Sequence, residues 1–308
     1  MNRLAIPYEP FKIFDPDGNV ERLKRYVDLI TKKGLSGAAV IIGSYGFGKT
    51  HLLKYLEYLY RNSSNVLPIY IASPGKTFMD FYETVIEELL LSNANFKETL
   101  LKAAKSLGLL YSNETFNKKE YYYLELWLLG GKLELSIRRK LGLLRNLSEF
   151  DALKILSRSI VLCKRTLLIL LDEFETILEL DKFKRLSYMN ALRRLIDETS
   201  KNLFLLVAST PAGWEEVVTT NMALSRRLSA MTIYLRSLSK EEMTEFLSLY
   251  FPEIEKLFPR EVLNKIHEYT NGNPGEVLRL SSMIYDEVYL KEGVVLTEHA
   301  EKLISSYV

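Results

Sequence analysis

The octapeptide Gly43-Ser44-Tyr45-Gly46-Phe47-Gly48-Lys49-Thr50 constrains this chain more than any other stretch. It fills every position of G-x-x-x-x-G-K-[ST], a spacing that lets glycines curl the backbone around an anion and turn N–H groups inward. Its flanks agree with that use. The apolar run Ala38–Ile42 reads as a buried strand, and His51–Tyr60 carries apolar residues three and four apart, as a helix does. Strand, glycine loop and helix N-terminus in that order make a phosphate site, the helix adding the positive end of its dipole. Gly43, Ser44, Tyr45, Gly46, Phe47, Gly48, Lys49, Thr50 and the adjoining His51 are therefore the expected contacts of a nucleoside triphosphate, taken as ATP. Lys49 is expected to reach the β- and γ-phosphates, and the Thr50 hydroxyl to help hold Mg²⁺.

The chain has 308 residues, enough for one large α/β domain and a smaller one. Its formal net charge of +2 is too small to argue for a nucleic acid or a membrane, so any such partner must be read by a local patch. The longest apolar runs, such as Leu167–Leu171, are strand-length and bounded by charges, which excludes a membrane span. The first residues, Met1–Pro7, lack the apolar core of a signal peptide. Cys163 is the single cysteine, so an internal disulfide is impossible, and a reducing cytoplasm is the expected compartment. The sequence contains no glutamine, while Lys, Glu, Leu, Ile and Tyr are plentiful. Hyperthermophile proteins favour this balance, and such a source is inferred.

Residues 1–20 read as irregular, followed by a helix from about Val20 to Lys33 closed by Gly34. After the loop and its helix, Val66–Ala72 reads as a strand that Pro68 assigns to an edge. Thr77 caps a helix whose Phe78, Phe81, Tyr82, Val85, Ile86, Leu89 and Leu90 share one face, a stripe read as core packing. No strand-like run follows until residue 166, so about 92–165 reads as an all-helical insertion carrying Tyr121–Tyr123, Trp127, Arg138–Lys140 and Arg145. Then come a strand at Thr166–Leu171, a helix around 182–199, a strand at Leu203–Ala208 and a last strand at Met231–Leu235. Alternating strands and helices give an α/β fold, a parallel sheet covered on both faces, over residues 1–238. From Ser239 onward the pattern is helical. Ser239 and Glu242 form a capping box, Pro259 opens a helix, Asn271–Gly275 breaks the chain, and Thr297 caps a further helix. Residues 239–308 therefore read as a helical lid domain.

Asp172-Glu173 follows the buried strand at 166–171 directly. Asp172 at a strand's carboxyl end can reach a magnesium ion held by Thr50, and Glu173 can polarise the water that attacks the γ-phosphate. Glu175 is assigned a structural role. Ser209-Thr210-Pro211 ends the next strand, where a hydroxyl can orient that water; Thr210 is the first choice, with Ser209 close behind. Arg226 and Arg227 precede the last strand, and either can serve as the arginine that one subunit of a ring offers to its neighbour's nucleotide. His51, His267 and His299 show no metal-ligand spacing.

This order of motifs, closing on a helical lid with a G-N-P turn at Gly272–Pro274, resembles the AAA+ ATPases of the origin-recognition and initiator branch. A narrower similarity joins Trp127–Gly131, Leu141–Leu143, Leu170–Glu175, Leu192–Asp197 and Ser209–Pro211 to the ATP-binding protein of BREX-type phage-defence systems. The resemblance implies a P-loop ATPase of archaeal type, a homo-oligomer, and a role in genome maintenance or defence with DNA or a DNA-processing protein as partner. It also implies a lid arginine just after the G-N-P turn, contacting the nucleotide. That position is Gly275 here, and Arg279, one turn on, is the expected substitute.

Two functions compete. One is an ATPase acting on DNA or a DNA-bound partner, with basic clusters at Arg138–Lys140, Lys182–Arg185 and Arg193–Arg194. The other is a nucleotide-gated switch that recruits a protein with little turnover. No winged helix or zinc module is recognisable after the lid, so DNA binding would depend on the insertion or on assembly. A kinase is the weaker third reading, since no second-substrate site is evident and the lid resembles the AAA+ type.

Overall fold

The computed structural model describes residues 12–92, 96–112, 116–251, 254–289 and 297–306. The irregular reading of residues 1–11 lies outside them, as do parts of the insertion and lid at 93–95, 113–115, 252–253, 290–296 and 307–308.

The core alternates helix and strand: α1 (Asn19–Lys33), β1 (Ser36–Ile42), α2 (Lys49–Tyr60), β2 (Val66–Ile71) and α3 (Phe78–Ser92). The insertion adds α4 (Phe96–Ser106), α5 (Lys118–Leu128), α6 (Leu135–Leu141) and α7 (Glu149–Leu162). The core resumes with β3 (Thr166–Leu171), a 3₁₀ turn at Phe174–Glu179, α8 (Lys182–Glu198) and β4 (Leu203–Ser209). It closes with α9 (Pro211–Thr220), α10 (Met222–Leu228) and β5 (Thr232–Tyr234).

The five strands pair in the order β2-β3-β4-β1-β5, every pair parallel, with Val40 opposite Val207 on one side and Thr232 on the other. The carboxyl ends of β1, β4 and β3 therefore lie side by side. This places the phosphate loop, Ser209 and Asp172 along one edge of the sheet, where open α/β sheets bind ligands. Pro68 sits on β2, an edge strand as its missing N–H requires.

Strand side chains alternate between two apolar layers. Ala39, Ile41, Leu168, Leu170, Phe204 and Leu206 pack against α1 and α2. Ala38, Val40, Leu167, Ile169, Leu205 and Val207 face α3, α7 and α8, where the stripe of α3 is buried as core. The insertion shares that second layer, anchored by Trp127, which is fully buried and donates from Nε1 to the Arg145 carbonyl at 2.8 Å. Arg145 in turn holds Asp151 through two bonds of 2.7 and 3.0 Å, and Asp151 closes a capping box with Ser148 at the start of α7. Trp127→Phe keeps most of the apolar volume but loses the donor. It is expected to lower unfolding stability by about 1–2 kcal/mol, and Trp127→Ala by about 3–5 kcal/mol, in chemical denaturation.

The C-terminal region is helical: α11 (Lys240–Ser248), α12 (Ile254–Leu257), α13 (Arg260–Thr270), α14 (Pro274–Ile284) and α15 (Thr297–Ser306). Met243, Leu247, Phe258, Ile266, Val277, Ile284 and Ile304 form a separate apolar cluster there. Phe14, from the segment before α1, packs against it.

Candidate functional site

A cavity of about 720 Å³ opens between the carboxyl edge of the sheet and the C-terminal helices. Its floor is the phosphate loop, with Tyr45 to His51 all lining it. Gly43 and Ser44 take part through their carbonyls: Lys49 Nζ donates to Gly43 at 2.7 Å and to Ser44 at 3.2 Å. Burial holds the Lys49 ammonium below its ordinary pKa, opposed by the nearby carboxylates of Glu175, Asp172 and Glu173. A buried cation whose hydrogen bonds, among the described residues, go to loop carbonyls is suited to receive an anion, since desolvation strengthens that attraction.

The acidic side is built on β3. The Thr50 hydroxyl donates to Asp172 Oδ2 at 2.5 Å, and the Tyr70 hydroxyl donates to the same oxygen at 3.0 Å. Burial, then the Asp172 charge, push the Tyr70 phenol above its usual range, so it stays a donor. Asp172 Oδ1 accepts the Glu173 amide at 2.9 Å. A hydroxyl beside a buried carboxylate is the oxygen donor set that magnesium takes when a triphosphate brings the rest. Glu173 itself is exposed and left-handed, with φ 47° and ψ 41°, a sparsely populated conformation for a non-glycine residue that clusters at functional sites. Glu175 also lines the cavity, and its Oε2 is buried with no hydrogen-bond partner among the described residues.

The other half of the cavity is apolar. Ile13, Phe14, Leu235, Phe246, Tyr250 and Leu278 form its walls, with Phe14 and Tyr250 each edge-on to Phe246. The strap carrying Ile13 and Phe14 is pinned at Lys12 by two bonds. His51 Nε2 bonds the Lys12 carbonyl at 2.9 Å, and Lys12 Nζ donates to the Leu249 carbonyl at 2.8 Å. Burial keeps the His51 imidazole below its ordinary pKa despite that bond. Arg236 joins strap to lid, donating to Asp17 at 2.8 Å and to Glu242 at 2.7 and 2.8 Å. Hydrogen bonds from Arg236 hold the Glu242 carboxyl down at about 2.

Other expected residues lie elsewhere. Thr210 caps α9, its hydroxyl accepting the Gly213 amide at 3.2 Å, and Ser209 is fully buried. Arg227 is tied to Asp197 and to the Ala223 carbonyl, whereas Arg226 is exposed with no ion pair among the described residues. Arg279 is exposed and bonds Glu276 at 3.2 Å, while its neighbour Leu278 is the one that lines the cavity. Tyr70, Asp17 and Arg236 were not singled out from the sequence. They meet the motifs only across long chain separations, and no local pattern marks them.

A phosphate loop on β1, an acidic strand end two strands away and a helical C-terminal region define a P-loop fold of the AAA+ type. The chain belongs to the family of ATPase domains found predominantly in Archaea, whose model matches residues 21–280. The structure is similar to that of the Aeropyrum pernix ORC2 protein in ADPNP–ADP complexes. It has a TM-score of 0.60 and 17% identity, covering 99% of this chain and 71% of that one. The A. pernix ORC1 protein in complex with DNA follows with a TM-score of 0.58 and 16% identity over 98% and 68%. The Thermotoga maritima RuvB Holliday junction branch migration motor has a TM-score of 0.51 and 13% identity over 98% and 72%. No curated protein is a significant sequence match. Among the described residues no helix is long and apolar enough to cross a membrane.

Proposed function

We propose that this protein binds ATP with Mg²⁺ and hydrolyses it, and that it works on DNA or a DNA-bound partner. The observation that carries the reading is the 2.5 Å bond between Thr50 and Asp172, which joins two motifs 122 residues apart into one site. The loop amides and Lys49 bind the phosphates, while Thr50 and Asp172 would hold the magnesium, whose charge offsets that gathering on the γ-phosphate. Glu173 orients and polarises the attacking water from the strand end, and Thr210 or Ser209 supports it if its strand end shifts toward the phosphate. The apolar half accepts the base. Residues 1–238 serve as the nucleotide domain and 239–308 as its lid.

Catalysis in a homo-oligomer needs a cation from the neighbour, and Arg226 suits that role better than Arg227, because Arg226 is exposed with no ion pair among the described residues while Arg227 is tied to Asp197. The fold likeness to ORC1 bound to DNA and to a Holliday junction motor supports the DNA reading. The resemblance of the motif segments to BREX-type ATP-binding proteins supports a defence role, and the absence of glutamine supports a hyperthermophilic source. The lone cysteine fits a cytoplasmic location.

Steady-state ATP turnover with and without duplex DNA tests the proposal. Stimulation at low salt that fades as salt rises is expected, because phosphate contacts release counterions. Absence of turnover in both conditions would remove the hydrolytic assignment and favour the switch. Turnover indifferent to DNA at low salt would remove the DNA assignment alone.

A further inference from the structure

The lid turn Asn273-Pro274-Gly275 rests on the tip of the phosphate loop. Asn273 Nδ2 donates to the Tyr45 carbonyl at 2.9 Å, a contact between residues 228 positions apart. The Gly275 amide donates to the Gly46 carbonyl at 2.9 Å. The approach is close on both sides. A Cβ at Gly46 would lie 2.4 Å from Asn273 Oδ1, and one at Gly275 would lie 3.0 Å from Gly46 Cα. The turn is also fixed from behind: Leu238, on the linker leaving β5, donates its amide to the Gly272 carbonyl at 2.8 Å, and its carbonyl bonds His267 Nε2 at 2.8 Å.

We infer that Asn273 and Gly275 are positioning residues that hold the phosphate loop in its nucleotide-receiving shape, coupling lid position to nucleotide occupancy through the loop's backbone. The inference rests on the nucleotide reading above and deepens it. A trans peptide is planar, so its C=O and N–H point in opposite directions. Anchoring the Tyr45 carbonyl on the lid turns the Gly46 N–H away from the lid. Anchoring the Gly46 carbonyl fixes the next unit, whose Phe47 N–H closes the loop on the Ser44 carbonyl at 3.2 Å. Hydrogen bonding at a carbonyl also polarises the amide it belongs to, strengthening the N–H as a donor. Gly275 thus gains a physical account. It stands where related lids are expected to carry an arginine, and there a Cβ would press within 3.0–3.1 Å of the Gly46 backbone. Arg279 is not among the residues lining the cavity and bonds Glu276 on the exposed face.

Asn273 has two separable tasks, which makes the inference testable. Its Oδ1 caps α14, accepting the amides of Gly275 at 3.1 Å and Glu276 at 3.4 Å, while its Nδ2 holds Tyr45. Asn273→Asp keeps the cap, because aspartate caps as well as asparagine, but has no N–H to give. In the nucleotide-free, full-length variant the melting midpoint is expected to stay near wild type, while amide exchange in the peptide spanning 43–48 becomes faster. Affinity for ATP and ADP is expected to fall by about tenfold, the worth of one hydrogen bond. Gly275→Ala is expected to weaken nucleotide binding likewise, and Gly275→Arg to weaken it further rather than restore a lid arginine. Unchanged exchange at 43–48 in Asn273→Asp, or tighter ATP binding in Gly275→Arg, would overturn the inference. Should wild type bind neither nucleotide, the reading of the site as an ATP site falls, while the exchange measurement still decides whether the lid holds the loop.

Discussion

Glu173→Gln is expected to bind ATP about as well as wild type and to hydrolyse it about 10²–10³-fold more slowly, the usual loss when a positioned general base is removed. Glutamine has the same length, tolerates the same left-handed backbone about as poorly as glutamate, and leaves the Asp172 Oδ1 bond to the residue 173 amide in place. The substitution therefore removes the carboxylate and little else. Glu173 is exposed on the strand end. The control is Glu175→Gln. Glu175 is the carboxylate that most supports the Lys49 charge and carries a buried Oε2 without a partner among the described residues, so its loss is expected to disturb Lys49 and phosphate binding more than the chemical step. Single-turnover hydrolysis and equilibrium ATP binding on both variants separate the roles. Undiminished turnover in Glu173→Gln together with lost turnover in Glu175→Gln would move the base to Glu175.

The legible parts of this molecule are those where the determinant is local. The phosphate loop is read from consecutive residues, and β3 and β4 from apolar runs that only a doubly covered strand explains. The edge position of β2 follows from one proline, and the start of α11 from the reciprocal bonds of Ser239 and Glu242. What stayed hidden depends on tertiary placement or on residues with two uses. Pro211 reads as part of a strand-ending turn, yet it occupies the first turn of α9, where proline's missing N–H is harmless and Thr210 supplies the cap. Helix α12 is a single turn, too short to leave a periodicity. Tyr70 alternates along β2 like any strand residue, and only the sheet order sets it beside Asp172. Gly275 looks like a deficit in the motif and becomes intelligible once the loop it touches is in place.

Lys49→Ala is expected to abolish the nucleotide response while leaving the fold intact. In the nucleotide-free protein the ammonium is desolvated and held by two loop carbonyls. Removing it leaves the Gly43 and Ser44 carbonyls without that donor, a loss offset by the burial penalty of the charge, which disappears with it. Unfolding of the nucleotide-free variant is therefore expected within about 1 kcal/mol of wild type, as for substitutions outside the packed core. Binding is another matter. Charge-assisted bonds to phosphate oxygens are worth about 1.5–3 kcal/mol each, so losing the lysine's contacts weakens ATP by at least about 10- to 100-fold. Wild type at a ligand concentration 100 times its Kd gains roughly 2.7 kcal/mol of stability by mass action, and a 100-fold weaker variant at that concentration gains only about 0.4 kcal/mol. Thermal unfolding with and without MgATP measures this difference directly. A variant whose midpoint rises with MgATP as much as that of wild type would show that the triphosphate does not sit on the Gly43–Thr50 loop, and every role assigned here to Thr50, Asp172 and Glu173 would fall with it.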